Sequence, residues 1–67
     1  MTGPELDQAM RAIGWNGRAL ASRLRCSEML VRKWRAGSIP IPDPVGQWLA
    51  RVAHAIERLP APRWRQR

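Results

Sequence analysis

Between Ser27 and Lys33 the chain offers a hydroxyl, a carboxylate, a thioether, a guanidinium and an ammonium group within two helical turns: Ser27, Glu28, Met29, Arg32 and Lys33. Groups of this kind can read the edges of base pairs. Arg and Lys donate to guanine O6 and N7, a carboxylate accepts from the cytosine N4 amino group, and an apolar tip packs on the thymine methyl. Glu28 has a second reading of equal weight, as a negative charge at the positive end of a helix dipole. Lys33 can reach a base or a phosphate, and Arg32 has the plainer alternative of a solvated helix residue. Asn16, Arg18, Arg35 and Ser38 bracket the run, where contacts to phosphate fix orientation without carrying sequence information.

Catalytic chemistry has less to work with. Cys26 and His54 could pair, but no third group is placed to orient them, and the five acids are scattered along the chain. A single cysteine permits no internal disulfide and no four-ligand zinc site of the usual kind. We therefore expect no enzyme, no cofactor and no metal.

The candidate readers need a helix, and the punctuation supplies one. Ser27 is placed to cap it, Glu28 suits its first turn, Arg32, Lys33 and Arg35 suit its last, and Gly37 stops it. Val31 and Trp34 form its inward pair. That leaves Ser27, Glu28, Met29, Arg32, Lys33 and, less clearly, Leu30 outward. The preceding helix starts at Asn16, with Trp15 and Leu20 at hydrophobic-staple positions, and carries Leu20, Ala21 and Leu24 to the break at Arg25-Cys26. Cys26 and Val31 occupy the next pair of staple positions.

Two further helices flank this unit. Thr2-Gly3-Pro4-Glu5 has the form of a capping box; Leu6, Ala9, Met10 and Ile13 recur at helical spacing, and Gly14 stands at the stop, giving a helix over 3–13. After Ser38-Ile39-Pro40-Ile41-Pro42, which two prolines hold extended, Asp43 is the expected cap of a fourth helix with Pro44 in its first position. Its stripe runs Val45, Trp48, Leu49, Val52, Ala53 and Ile56, and Pro60 ends it. His54 falls on the opposite, solvent-facing side. Trp15, Trp34 and Trp48 read as core. No strand pattern, repeat or glycine-rich phosphate loop occurs, so the fold class is all-α: a four-helix domain over 1–59 and a basic, flexible tail over 60–67. The role of Trp64 in that tail is open.

The segment Arg-Ala-Leu-Ala-Ser-Arg-Leu followed by Cys-Ser-Glu-Met-Leu-Val-Arg-Lys-Trp resembles the helix-turn-helix of the Cro/CI-type (XRE-like) regulators. Gly37 and the Ile39-Pro40-Ile41-Pro42 stretch are also similar to that family, and the likeness covers residues 4–58. It implies a compact four-helix DNA-binding domain of the lambda-repressor-like type and major-groove readout by the third helix. It also implies a two-fold dimer on an inverted repeat of double-stranded DNA. Gly17 stands where the family often has a phosphate-gripping Gln, which moves that contact to Asn16 or Arg18. Arg25 replaces the usual turn Gly. In its size the chain is similar to small phage or mobile-element regulators, among them anti-CRISPR-associated repressors that silence their own operons.

Composition narrows the partners. Twelve Lys and Arg against five Asp and Glu give +7 and a pI of about 11.8, a balance that favours nucleic acid or an anionic membrane surface. Eleven of the twelve cations are Arg, which suits phosphate and guanine but equally reflects a GC-rich genome. The acidic start and the lack of a long apolar run are unlike a signal peptide or membrane span, so a cytoplasmic protein without membrane or small-molecule partners is expected. A domain this small buries a modest share of its surface and gains from association. The later part of the fourth helix, Val52, Ile56 and Leu59, is the expected homodimer face. Two other functions fit less well: an antitoxin-type protein-binding module of similar fold, and a membrane-active cationic peptide, which the ordered caps argue against.

Overall fold

A computed structural model describes residues 1–59 together with 61 and 62. Most of the expected tail, including Arg63, Trp64, Arg65 and Arg67, lies outside the described residues. Within them the architecture is all-helical: α1 Gly3–Ile13, α2 Gly17–Leu24, α3 Glu28–Ala36 and α4 Asp43–Arg58. No strand occurs among the described residues, and no helix there is long and apolar enough to cross a membrane.

The caps explain where the first three helices begin. Thr2 Oγ1 accepts from the Glu5 N–H at 3.2 Å while Glu5 Oε1 accepts from the Thr2 N–H at 2.8 Å, closing a reciprocal capping box. The Thr2 backbone N–H, and after it the Thr2 hydroxyl, holds the Glu5 carboxyl below its ordinary value. Asn16 Oδ1 accepts from Ala19 N–H at 2.8 Å, and Ser27 Oγ from Leu30 N–H at 3.2 Å. Gly14 and Gly37 end α1 and α3 in the left-handed region, at φ 88° and 78°.

The turn between α2 and α3 takes the same left-handed form without a glycine. Arg25 lies at φ 56°, ψ 46°, and the N–H of Cys26 reaches back to Ala21 O at 2.9 Å. A non-glycine residue there carries about 1–2 kcal/mol of strain.

The fourth helix corrects the sequence reading. Its N-cap is Pro42, not Asp43, and no side chain caps it. Pro42 is already extended, so its carbonyl takes the first helical N–H donors, Val45 at 3.0 Å and Gly46 at 3.1 Å. Asp43 thus becomes the first helical residue and Pro44 the second, where the missing proline N–H leaves no donor stranded. The Asp43 carboxylate still lies in the first turn, at the positive end of the helix dipole.

One cluster forms the core: Leu6 and Met10 from α1, Leu20 and Ala21 from α2, Val31 and Trp34 from α3, Ile41 from the connector and Leu49 from α4. Ile41 makes the extended connector part of the core, which the sequence reading treated only as a linker. Helix α1 packs on both α3 and α4, and α2 packs on α3. Two glycines permit close approaches. A Cβ on Gly3 would lie 2.5 Å from the Arg35 carbonyl oxygen, and one on Gly46 would meet Met1 Cβ at 3.1 Å.

The tryptophans divide. Trp34 is buried and Trp15 is half-buried against the core, but Trp48 is 36 % exposed rather than a core residue. Gly46 and Leu49 are the positions α4 turns inward, and Trp48 sits at the edge of that stripe. There its ring meets Trp15, with centroids 5.8 Å apart and planes tilted by 31°. The Arg23 guanidinium lies 5.2 Å from the Trp15 ring centroid, within cation–π range.

Candidate nucleic-acid interface

The start of α2 and the outer side of α3 bring Asn16, Arg18, Glu28, Arg32 and Arg35, five of the predicted side chains, around one groove. Val31 and Trp34 are buried, which fixes the rotation of α3 about its axis. Met29, Arg32 and Lys33 are accordingly exposed, Met29 by 55 %, while Leu30 is half-buried against the core. Leu30 therefore belongs to the packing side. Ser27 is exposed but spends its oxygen on the α3 cap, leaving the hydroxyl hydrogen able to donate.

The flanking residues are placed less uniformly. Arg18 projects from the start of α2, with its side chain 88 % exposed. Asn16 is exposed with its side-chain oxygen committed to the cap of α2, so its amide nitrogen is the group left for a ligand. Ser38 is exposed just beyond α3, its backbone N–H bonded to Lys33 O at 2.9 Å. Arg35 is held instead: its guanidinium donates to Asp7 of α1 at 2.5 Å. That anchor leaves it 43 % exposed, so only part of its donor set can face a ligand.

An open groove of about 350 Å³ runs between the start of α2 and the outer side of α3, lined by Asn16, Gly17, Arg18, Glu28, Arg32 and Arg35 among others. Gly17 keeps this notch open without being forced by it. A Cβ there would make only an ordinary contact with Val31 Cγ1 at 3.8 Å. Gly17 thus presents no side chain to the groove, and Arg18 is the neighbouring cation.

Sequence reasoning found these residues but not the pairing among them. Glu28 Oε1 lies 3.3 Å from Arg18 Nε and Glu28 Oε2 lies 3.9 Å from Arg32 Nη2. The Arg32 pair follows an i, i+4 spacing that the sequence does print. The Arg18 pair crosses from α2 to α3, and only the packing of the two helices reveals it. From Asn16 to Ser38 the chain has six cations (Arg18, Arg23, Arg25, Arg32, Lys33, Arg35) and one acid, Glu28.

The other candidate sites are simpler. Cys26 is half-buried with a free thiol, packed against the core. His54 is exposed, on the side of α4 away from Leu49. Along the expected dimer face Val52 is half-buried, Ile56 is 46 % exposed and Leu59 is 78 % exposed. Comparison with protein-family models, with curated proteins and with solved structures finds no match.

Proposed function

We propose that this chain is a sequence-specific double-stranded-DNA-binding regulator in which α2 and α3 act as a helix-turn-helix and α3 enters the major groove. One observation carries the reading: burial of Val31 and Trp34 turns Met29, Arg32 and Lys33 outward together, beside the exposed Arg18. Positional precision of this kind suits base readout, because a 12 Å groove admits one helix and tests each side chain against a fixed donor and acceptor pattern. Arg32 is the leading reader, with Ser27, Glu28, Met29 and Lys33 beside it. Arg18, Asn16, Ser38 and the partly engaged Arg35 contact phosphate.

The same reading includes a two-fold dimer through Val52, Ile56 and Leu59, an arc whose exposure rises toward the helix end. Two-fold pairing would set the recognition helices about 34 Å apart and demand an inverted repeat. Occupation of such a repeat beside its own promoter makes the protein an autorepressor, the role suited to a small regulator of a phage or mobile-element operon, an anti-CRISPR operon included.

Selection of binding sites from random duplex DNA tests this directly. We expect an inverted repeat to emerge. Arg32→Ala should lose about 1–3 kcal/mol on the selected site and relax preference at particular base pairs. Arg18→Ala should weaken every duplex without changing which sequence is preferred, and reduce the salt slope by about one. Equal losses by both variants on selected and random DNA would remove Arg32 as a reader. The dimer is checked by sedimentation of wild type and Ile56→Asp. A monomeric wild type that binds a half site as tightly as the full site would refute it. The exposed end of α4 also supports a second reading, an antitoxin-type module that covers another protein. Selection that enriches no sequence would favour it.

A further inference from the structure

Glu28 is the one acid between Asn16 and Ser38, a segment with six cations, and each of its carboxylate oxygens faces a different arginine. Oε1 faces Arg18 from α2 and Oε2 faces Arg32 from its own helix, so the carboxylate bridges the groove between them. A phosphodiester presents the same features, one negative charge shared by two oxygens, to the same guanidinium groups. We propose that Glu28 is a specificity-determining residue that acts as an internal competitor for DNA phosphate. This rests on the DNA-binding reading above and adds the means by which indiscriminate binding is suppressed.

Stability does not account for the arrangement. The side chains of Arg18, Arg32 and Glu28 are 88 %, 71 % and 42 % exposed, and pairs so open to water contribute little to a fold. A negative charge at the start of α3 is satisfied by the helix dipole alone and does not require a partner on α2.

The consequences appear when a polyanion arrives. Non-specific affinity for duplex DNA scales with the number of phosphates that cations neutralise. Glu28 engages Arg18 and Arg32, and the carboxylate itself repels the backbone. At a matching site a base amino group can donate to Glu28, which releases both arginines to phosphate and guanine. At any other site the carboxylate faces base acceptors or phosphate oxygens and stays unfavourable. Discrimination is thus widened from the side of the wrong sequences as well as the right one.

The test compares wild type with Glu28→Gln, both as the full chain, on random-sequence duplex and on the selected site across a range of salt. We expect Glu28→Gln to bind random duplex about fivefold more tightly at low salt, with a salt slope steeper by about one. The ratio of selected-site to random affinity should fall. Arg18→Ala introduced into Glu28→Gln should cancel much of the gain, since one of the released cations is then gone. Unchanged or weaker binding of random duplex by Glu28→Gln, with only the selected site affected, would overturn the competitor role and leave Glu28 a simple base acceptor. If neither protein binds any duplex, the DNA-binding reading falls, and the competitor role with it.

Discussion

Asp7 and Glu28 make the same pattern of ion pairs at neighbouring places, each beside Arg32 and Arg35, with different results. Each carboxylate holds one arginine four residues later on its own helix and a second on another helix: Arg11 and Arg35 for Asp7, Arg32 and Arg18 for Glu28. Around Asp7 the bonds are short, 3.1 and 2.5 Å, and the carboxylate is 29 % exposed. Around Glu28 they lengthen to 3.9 and 3.3 Å between groups mostly in water. The backbone makes the difference. Gly3 lets the start of α1 touch the carbonyl of Arg35, which holds Asp7 and Arg35 in register. No such contact draws Arg18 and Glu28 together. The first cluster is a strut between α1 and α3, and the second is a set of charges that can let go of one another.

The largest test of that contrast is Gly3→Ala. Its Cβ would meet a backbone oxygen at 2.5 Å, so α1 must shift away from α3. Overpacking of this kind costs about 1–3 kcal/mol. In a domain this size each kcal/mol lowers the melting temperature by roughly 4–8 °C, which calorimetry resolves. A variant that melts with wild type would show that the joint is not closed.

Next in size is the pair Asp7→Ala and Glu28→Gln, compared by denaturant titration. Loss of the strut should remove about 1 kcal/mol, allowing for the partial exposure of Arg35. Glu28→Gln should stay within about 0.5 kcal/mol of wild type. Equal losses would erase the distinction between the two clusters.

A third carboxylate sharpens it further. Glu5 is lowered by Thr2 rather than by any arginine, first through the backbone N–H and then the hydroxyl. A depressed carboxyl pKa stabilises the fold above the ordinary glutamate value near 4.5, and the contribution is lost as pH falls through the lowered folded value. Glu5→Gln should therefore lower neutral-pH stability slightly and flatten the acid side of the profile, leaving stability at low pH nearly unchanged. An unaltered acid limb would mean that the capping box does not persist in solution.

Much of this was readable before the fold was known, because it is local. Thr2, Asn16 and Ser27 each cap within three residues, and Gly14 and Gly37 stop helices through their own backbone freedom. The spacing of Val31 and Trp34 set the outward face of α3. What escaped was set by neighbours. Trp48 looked like core from its place in the α4 stripe, but Gly46 and Leu49 take the inward positions, and Trp48 is left at the rim against Trp15. Asp43 looked like a cap because the extended state of Pro42, which brings the cap one residue forward, could not be distinguished from the rest of the connector. The links from Asp7 to Arg35 and from Arg18 to Glu28 join different helices, and neither leaves a mark in the sequence.

Chain order and packing order differ in this fold, and that shapes how it assembles. In space the sequence of contacts is α2, α3, α1, α4, so the first and last helices of the chain pack together while the middle two pair locally. Joining α2 to α3 closes a short loop, whereas docking α4 on α1 must bring together segments separated by the whole of that pair, at a greater loss of chain entropy. The α1–α4 junction is therefore expected to form after the barrier to folding has been crossed. Stopped-flow kinetics of Leu49→Ala should show faster unfolding with a nearly unchanged refolding rate, and a mutation in α2 such as Leu20→Ala should slow refolding. The reverse pattern would place the nucleus at the clasp between the chain's two ends.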